Sequence, residues 1–340
     1  MDFSDVANFF LGKNGIGKTN LVEAIYVNFF SRSFRTSNLK NCVKMGERDF
    51  SLSCDIVLKG ITHNLSMEYK NGVKTLKVDG KRYLLGEYLK YGMIFVITAL
   101  SSEIVYGEPS LRRKFFDSLI TRIYPEYIYL LGRFRKIYAN KRDLLVKGVE
   151  EKEIFHIWNV ELARVYHEIY RKRVEFVKLI NEGDVYDLFS RERKKIGILY
   201  SPTIDFYRME LKDVVGFLDE NLGLEIDRNQ VLFGPHRDKF YFTYDEKMAK
   251  DFASAGEKRS ILLNIFFKMI DILDDLKGEL PVFIFDDIET EIDSNRLEKL
   301  LLGLKDRVQV FLTSSKPELL EGMLEKKKIF YLRQLFFKQF

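Results

Sequence analysis

Gly12-Lys13-Asn14-Gly15-Ile16-Gly17-Lys18-Thr19 matches the spacing G-x-x-x-x-G-K-[ST], which can wrap the phosphates of ATP or GTP. The glycines let the backbone turn so that successive N–H groups point at phosphate oxygens. Lys18 can reach the β- and γ-phosphates, and the Thr19 hydroxyl can ligate Mg²⁺. A second chemical group is Asp286-Asp287, which ends the apolar run Pro281-Val282-Phe283-Ile284-Phe285. Asp286 is expected beside the Mg²⁺ held by Thr19. Asp287 is expected to face the γ-phosphate as the catalytic residue, orienting or deprotonating the attacking water. A third is Ser254-Ala255-Gly256-Glu257, an S-x-G-E stretch before the helix-like Ile261–Phe267. Small residues ahead of a helix expose N–H groups, so Ser254, Gly256 and Glu257 form a candidate second phosphate contact; an ordinary helix N-cap is the alternative for so short a pattern. Thr290-Glu291-Ile292-Asp293 follows the paired acids, and Val308–Ser315 is a strand-like run ending in hydroxyls.

These groups need particular elements to hold them. The apolar run Ala7–Leu11 reads as a strand feeding the glycine loop, and Thr19–Tyr26 carries apolar residues three to four apart, so a helix starts at once. Pro281–Phe285 reads as a buried parallel strand, and in open α/β sheets ligands bind beyond the strand C-termini. Phe50–Val57, Thr62–Tyr69 and Lys74–Val78 alternate like antiparallel strands, with Lys70-Asn71-Gly72 as a turn. Gly107–Ser110 opens a helical stretch expected to run to about Lys195, with Trp158, Leu162, Val165 and Ile169 as one core-facing stripe.

Composition bounds the class. The chain has 340 residues, 46% hydrophobic and 31% charged, enough for about two globular domains. It holds no run of eighteen apolar residues and no basic-then-apolar leader, so neither a membrane span nor secretion is expected. Cys42 and Cys54 are its only cysteines and have no C-x-x-C spacing, which argues against a disulfide framework or a cysteine zinc site and points to a reducing cytoplasm. His63, His156, His167 and His236 form no ligand pattern.

The order of the motifs, glycine loop, S-x-G-E and helix, apolar strand with paired acids, then T-E-I-D, is the layout of ABC-type ATPase heads. Three further stretches narrow the likeness. Ser31-Arg32-Ser33-Phe34-Arg35-Thr36, Gly107-Glu108-Pro109-Ser110-Leu111-Arg112-Arg113-Lys114-Phe115-Phe116-Asp117 and Gly234-Pro235-His236-Arg237-Asp238 resemble R-S-F-R-T, G-x-P-x-x-R-R-x-F-L-D and G-P-H-R-D of the RecF family, bacterial recombination-mediator ATPases related to structural-maintenance-of-chromosomes heads. The resemblance implies an α/β fold: an ABC-type head with a mixed sheet from residues 1–106 and 197–340, and a helical lobe inserted at 107–196. It implies ATP and Mg²⁺ as cofactors, and two protomers sandwiching ATP between the glycine loop of one and the signature of the other. It also implies slow hydrolysis as a dimerisation switch, binding to duplex DNA and single-strand gaps, RecR and RecO as partners, and RecA as the protein loaded. Two departures stand out. The family pattern places a further strand before the glycine loop, and only eleven residues precede Gly12; the signature carries Glu257 where the family has glutamine.

Charge distribution adds an independent pointer. Residues 105–200 hold 20 Lys and Arg against 14 Asp and Glu, and residues 111–147 hold 10 against 3, interleaved with Tyr124, Tyr127, Tyr129, Phe134 and Tyr138. A basic helical face favours phosphate backbones without reading sequence; a merely solvated surface is the plainer account of such a run. Arg35, Arg112, Arg113, His236 and Arg237 are open between contacting phosphate and pairing within the fold. Other readings are an ABC-type subunit of a different DNA-maintenance or transport complex, and a DNA-binding scaffold that does not hydrolyse ATP.

Overall fold

A computed structural model describes residues 1–98, 100–278, 280–287, 294–305, 307–319 and 327–332. The chain divides into two compact units, Met1–Ser102 with Ile270–Phe340, and Glu103–Met269.

The first unit is built on a parallel sheet. Its strands run in the order Lys328–Tyr331, Ala7–Leu11, Val310–Ser314, Val282–Phe285, Ile94–Ile97, each pair parallel. Ala7–Leu11 and Val310–Ser314 are buried throughout, the mark of strands covered on both faces. The helix Lys18–Phe30 follows the glycine loop, buries Val22, Tyr26 and Val27, and packs beside Val310–Ser314. Each such side chain contributes roughly 1.5–3 kcal/mol relative to exposure. A separate antiparallel sheet runs in the order Phe50–Leu58, Ile61–Lys70, Val73–Val78, Lys81–Arg82. Its Asn71-Gly72 turn has φ of 50° and 79°, the left-handed pair that a tight hairpin needs. The expected mixed character is thus divided between two sheets. Buried Leu65, Met67 and Val78 join Phe10, Val22 and Ile284 in one core.

The second unit combines the helices Pro109–Ile123, Tyr127–Val146 and Lys152–Asn181 with the antiparallel strands Val185–Tyr186, Lys195–Ser201, Lys239–Tyr244 and Lys247–Met248. The helical stretch ends at Asn181 rather than near Lys195, where the turn at Gly183-Asp184, φ 77° and 47°, admits the first strand. The compact unit therefore extends past residue 196 to Met269, because Lys195–Ser201 packs on Lys152–Asn181 and Lys239–Tyr244 packs on Pro109–Ile123. The helix Ala255–Lys277 begins in this unit and finishes in the other.

Candidate nucleotide site and helical lobe

The glycine loop spans Leu11 to Lys18 between strand and helix. Gly15 and Gly17 have φ of 79° and 98°, conformations a side chain resists. At Gly12 a Cβ would meet the Leu332 carbonyl oxygen at 2.9 Å, so the neighbouring strand leaves room only for glycine. The Gly12 N–H donates to Ser314 O at 3.3 Å, tying the loop to the strand that ends in hydroxyls. Gly17 is the N-cap of Lys18–Phe30, and no side chain caps that helix. Its first N–H groups remain available to an anion, and the helix dipole favours negative charge there. Lys18 is buried; its Nζ donates to Gly12 O at 2.9 Å, Lys13 O at 3.3 Å and Asn14 Oδ1 at 3.4 Å.

Thr19 lies 267 residues before Asp286, and the fold brings them together: Thr19 Oγ1 donates to Asp286 Oδ1 at 3.0 Å. Asp286 sits at the C-terminal end of Val282–Phe285, its N–H donating to Ile97 O at 2.9 Å. The same carboxylate oxygen accepts from Thr313 Oγ1 at 2.8 Å, and Thr313 in turn accepts the Asp287 N–H at 2.8 Å. Burial raises the Asp286 carboxyl above the ordinary aspartate range, while the hydrogen bonds from Thr313 and Thr19 pull it down. A hydroxyl and a carboxylate at this separation are the hard oxygen donors that Mg²⁺ takes, and an incomplete protein shell is usual for that ion. The donor set fits the metal, which Thr19 and Asp286 would hold. Asp287 has φ 51°, a left-handed conformation uncommon outside glycine, asparagine and aspartate, and is half-buried. The sequence marks Thr313 only as a hydroxyl at a strand end; its position between the two acids needs the sheet order. Thr290-Glu291-Ile292-Asp293 lies outside the described residues.

The R-S-F-R-T stretch folds onto the helix after the glycine loop. Buried Glu23 accepts from Ser33 Oγ and pairs with Arg35 at 3.2 Å, and Arg35 also donates to Asn20 Oδ1 at 3.0 Å.

Ser254 and Glu257 form a reciprocal cap at the start of Ala255–Lys277. The Ser254 N–H donates to Glu257 Oε2 at 2.7 Å and the Glu257 N–H to Ser254 Oγ at 3.3 Å. Gly256 lies in the first turn of the same helix. The N-cap account of S-x-G-E is therefore realised, and the helix N-terminus is formed.

In the second unit the two long motifs serve the interior. Arg173 is buried and joins Asp117 through Nη2 at 3.0 and 3.1 Å to Asp238 through Nη1 at 2.6 Å, also donating to the Pro235 carbonyl at 2.9 Å. Asp238 further accepts from Tyr166, from Tyr200 at 2.5 Å and from the Thr203 N–H at 2.9 Å. Sequence reasoning that follows apolar residues alone misses Arg173, although the stripe of Leu162, Val165 and Ile169 reaches it one turn further on. Arg112 is buried against the carbonyls of Phe240 and Gly107 at 2.9 and 2.6 Å, and Arg113 donates to Asp238 O at 2.9 Å. His236 is sandwiched with Phe134 and Tyr138, ring centroids 5.6 and 4.8 Å away, and burial lowers its pKa to about 4. Arg237 is exposed and donates to Gln230 at 3.1 Å.

The basic run also divides. Lys141 is buried with Glu225 at 2.6 Å and Asn159 at 2.6 Å, so it and Arg112 are turned inward, while half-buried Arg113 is tied to Asp238 O. Arg133 pairs with Glu161 at 3.6 Å and Lys147 with Asp143 at 2.6 Å. Arg135, Lys136 and Arg142 are exposed with no ion pair among the described residues. Arg135 and Arg142, two turns apart on Tyr127–Val146, share one outer stripe.

Comparison with known proteins places these features in context. The family model described as RecF/RecN/SMC N terminal domain matches residues 1–336. The DNA replication and repair protein RecF of Streptococcus agalactiae is 29% identical over 97% of this chain and 91% of its own length; that of Macrococcus caseolyticus is 27% identical over 97% and 92%. A solved structure of the recombination mediator protein RecF-ATPrS in the RecFOR pathway aligns with TM-score 0.88 at 26% identity, covering 98% of this chain and 92% of that one, and the RecF-ATP structure with TM-score 0.86. The Smc head domain of Pyrococcus furiosus shares the fold, with TM-score 0.55 at 15% identity. Among the described residues no helix is long and apolar enough to cross a membrane.

Proposed function

This chain belongs to the RecF/RecN/SMC N-terminal-domain family, and from that membership we propose that it is an ATP-dependent DNA-binding recombination mediator acting in DNA repair and replication in the cytoplasm. The observation that supports the reading is the hydrogen bond between Thr19 and Asp286, a hydroxyl and a carboxylate brought together beside the glycine loop at the C-terminal end of a parallel sheet, as an Mg²⁺ donor pair would be.

In this reading the uncapped amides of the glycine loop and of Lys18–Phe30 bind the phosphates of ATP. Lys18 leaves the carbonyls of Gly12 and Lys13 to meet the β/γ charge. Thr19 and Asp286 hold Mg²⁺, which neutralises phosphate charge and polarises the phosphoryl group. Asp287 orients the attacking water as catalytic residue. The N-terminus of Ala255–Lys277, with Ser254, Gly256 and Glu257, meets the γ-phosphate held by a second copy, so ATP joins two protomers and weak hydrolysis parts them. DNA, duplex or at single-strand gaps, lies on the outer stripe of Tyr127–Val146, and RecR and RecO are the partners through which RecA is loaded.

The test is sedimentation with and without ATP and duplex DNA. The expected outcome is a dimer only with ATP, favoured further by DNA, and loss of dimer and ATP binding in Lys18→Ala. A Lys18→Ala protein that binds ATP with unchanged calorimetric affinity overturns the nucleotide site.

A further inference from the structure

The part of Ala255–Lys277 that lies in the second unit is covered mostly by apolar side chains. Ile261 and Ile265 are buried, and Phe266 meets Phe115 and Phe267 meets Phe189 with ring centroids 5.8 and 6.5 Å apart. Apolar contact is non-directional, so it buries a face without fixing the rotation of a helix or its setting along its axis. One polar group breaks this cover. Asn264, 2% exposed, donates through Nδ2 to Asp187 Oδ1 at 3.1 Å and to Ser260 O at 2.8 Å, and its Oδ1 accepts the Leu188 N–H at 3.2 Å. One turn further on, Lys268 Nζ donates to Glu182 O at 2.7 Å.

Asp187 holds the other side of the clasp. It is 6% exposed and has no ion pair among the described residues. Neutral donors meet its carboxylate instead: Asn264 and the Phe189 N–H, the latter at 2.9 Å, on one oxygen, and the Tyr244 hydroxyl at 3.0 Å on the other. A buried carboxylate that loses a donor costs more than the bond contributed, so this set resists any shift of the helix. A turn of about 30° about the axis would move a side-chain atom about 5 Å from that axis by roughly 2.5 Å, out of hydrogen-bond range. Glu257 and Asn264 lie two turns apart on one face. Burial and then the Asp187 carboxylate raise the Tyr244 hydroxyl above the ordinary tyrosine range, and Glu257 acts in the same direction, so the cap at Ser254 and Glu257 and the clasp share one side of one helix.

We propose that Asp187 and Asn264 are positioning residues for the contact between the signature and a γ-phosphate held by a second copy. The clasp sets the rotation and axial position of Ala255–Lys277, and through the helix the direction of the Ser254 hydroxyl and the Gly256 N–H. The role rests on the reading of Ser254, Gly256 and Glu257 given above, and neither clasp residue touches nucleotide.

Asn264→Asp sets a second carboxylate against Asp187 at nearly constant shape, and Asp187→Asn in the same chain restores a donor between the two. Sedimentation with ATP reads dimer affinity, and calorimetry reads ATP binding by the monomer. Asn264→Asp is expected to weaken the ATP-dependent dimer roughly tenfold while monomer affinity for ATP stays within about twofold, and the double variant is expected to recover about half of that loss on a logarithmic scale. Tyr244→Phe removes a single hydroxyl donor from the same carboxylate and should weaken the dimer about threefold; it takes the place of Asn264→Asp if that variant does not fold. Ser254 and Asn264 are about 15 Å apart at 1.5 Å per residue, a separation at which substitutions ordinarily add. A clasp that acts through the signature breaks that additivity: in a Ser254→Ala chain the clasp variant should weaken the dimer by much less than it does alone. Unchanged dimer affinity in Asn264→Asp and Tyr244→Phe overturns the proposal. So does an equal fall in monomer ATP affinity, or full additivity with Ser254→Ala, either of which makes the clasp a tie of the fold alone. A wild-type chain that forms no dimer with ATP is a different result, which removes the reading of the signature and the positioning role with it.

Discussion

Lys18 donates to the carbonyls of its own loop, so the loop itself holds the cation that would meet nucleotide phosphate. Asp286 and Asp287 are adjacent in sequence but differently engaged. Asp286 is buried and shares one oxygen between Thr19 and Thr313, whereas Asp287 is half-buried in a left-handed turn. Separate roles follow. Asp287→Asn should leave ATP and Mg²⁺ bound but slow hydrolysis on the order of a hundredfold or more, and so trap the dimer. Asp286→Asn should weaken Mg²⁺-dependent nucleotide binding itself. Steady-state hydrolysis and calorimetry with and without Mg²⁺ check both, and normal hydrolysis by both variants would move the chemistry to another strand. Glu257 invites a different measurement. Its carboxylate takes the Ser254 N–H, a bond that the carbonyl oxygen of glutamine can also accept, so Glu257→Gln changes charge at nearly constant shape. A carboxylate roughly 8 Å from an incoming phosphate charge costs about 2 kcal/mol at an effective dielectric near 20. The substitution should therefore tighten ATP-dependent dimerisation at least tenfold, with monomer affinity for ATP unchanged. Equal dimer affinities by sedimentation would place Glu257 away from the γ-phosphate.

At the scale of elements, the second unit is fastened by polar groups that helix periodicity does not announce. Pro109–Ile123 and Lys152–Asn181 are joined through Asp117 and Arg173, and Arg173 also reaches Asp238 in the segment before Lys239–Tyr244. His236, two residues earlier, packs on Phe134 and Tyr138 of Tyr127–Val146. Burial depresses its pKa from 6.5 to about 4, so the folded state holds it neutral where the unfolded chain would protonate it. A histidine shifted downward contributes stability that is fully present above pH 6.5 and is lost as pH falls from there to about 4. At pH 5 the loss should be about 2 kcal/mol. Urea unfolding at pH 7 and pH 5 measures it, and His236→Phe, which keeps an aromatic ring between Phe134 and Tyr138, should flatten that part of the pH dependence. An unchanged slope in the variant would mean that another group carries it.

At the scale of the whole molecule, the net charge of +5 is concentrated in residues 105–200, but many of the basic side chains there are structural. With Arg112, Lys141 and Arg173 turned inward and Arg113 half-buried, Arg135, Lys136 and Arg142 are among the basic side chains left exposed to a phosphate backbone. Duplex affinity should fall linearly on a log–log salt plot with little sequence preference. Reversing Arg135 and Arg142 to glutamate should lower the slope by about 2, one for each phosphate no longer neutralised. A slope unchanged by the reversal would place DNA elsewhere on the surface.

The glycine loop, the strand and helix flanking it, the hairpin at Asn71-Gly72 and the apolar strand ending in Asp286-Asp287 were all legible in the sequence. Each is set by local rules: glycine where φ is positive, alternation for half-buried strands, continuous apolar runs for parallel ones. The motif order also pointed to the family and to an α/β fold. Tertiary structure decided which groups meet. Thr19 reaches Asp286 across 267 residues only because the strand leading into its loop and the strand ending at Asp286 belong to one sheet, and Thr313 enters that site because its strand lies between those two. Tertiary structure likewise turned Arg112 and Asp238 of the two long motifs into interior ties, ended the helical stretch at Asn181, and closed Ser254 and Glu257 into a cap. The reason is physical. Periodicity along a chain says which side of an element is buried, but the partner of a buried charge is chosen by the element packed against it, and burial at such cost is tolerated only where that partner is in place.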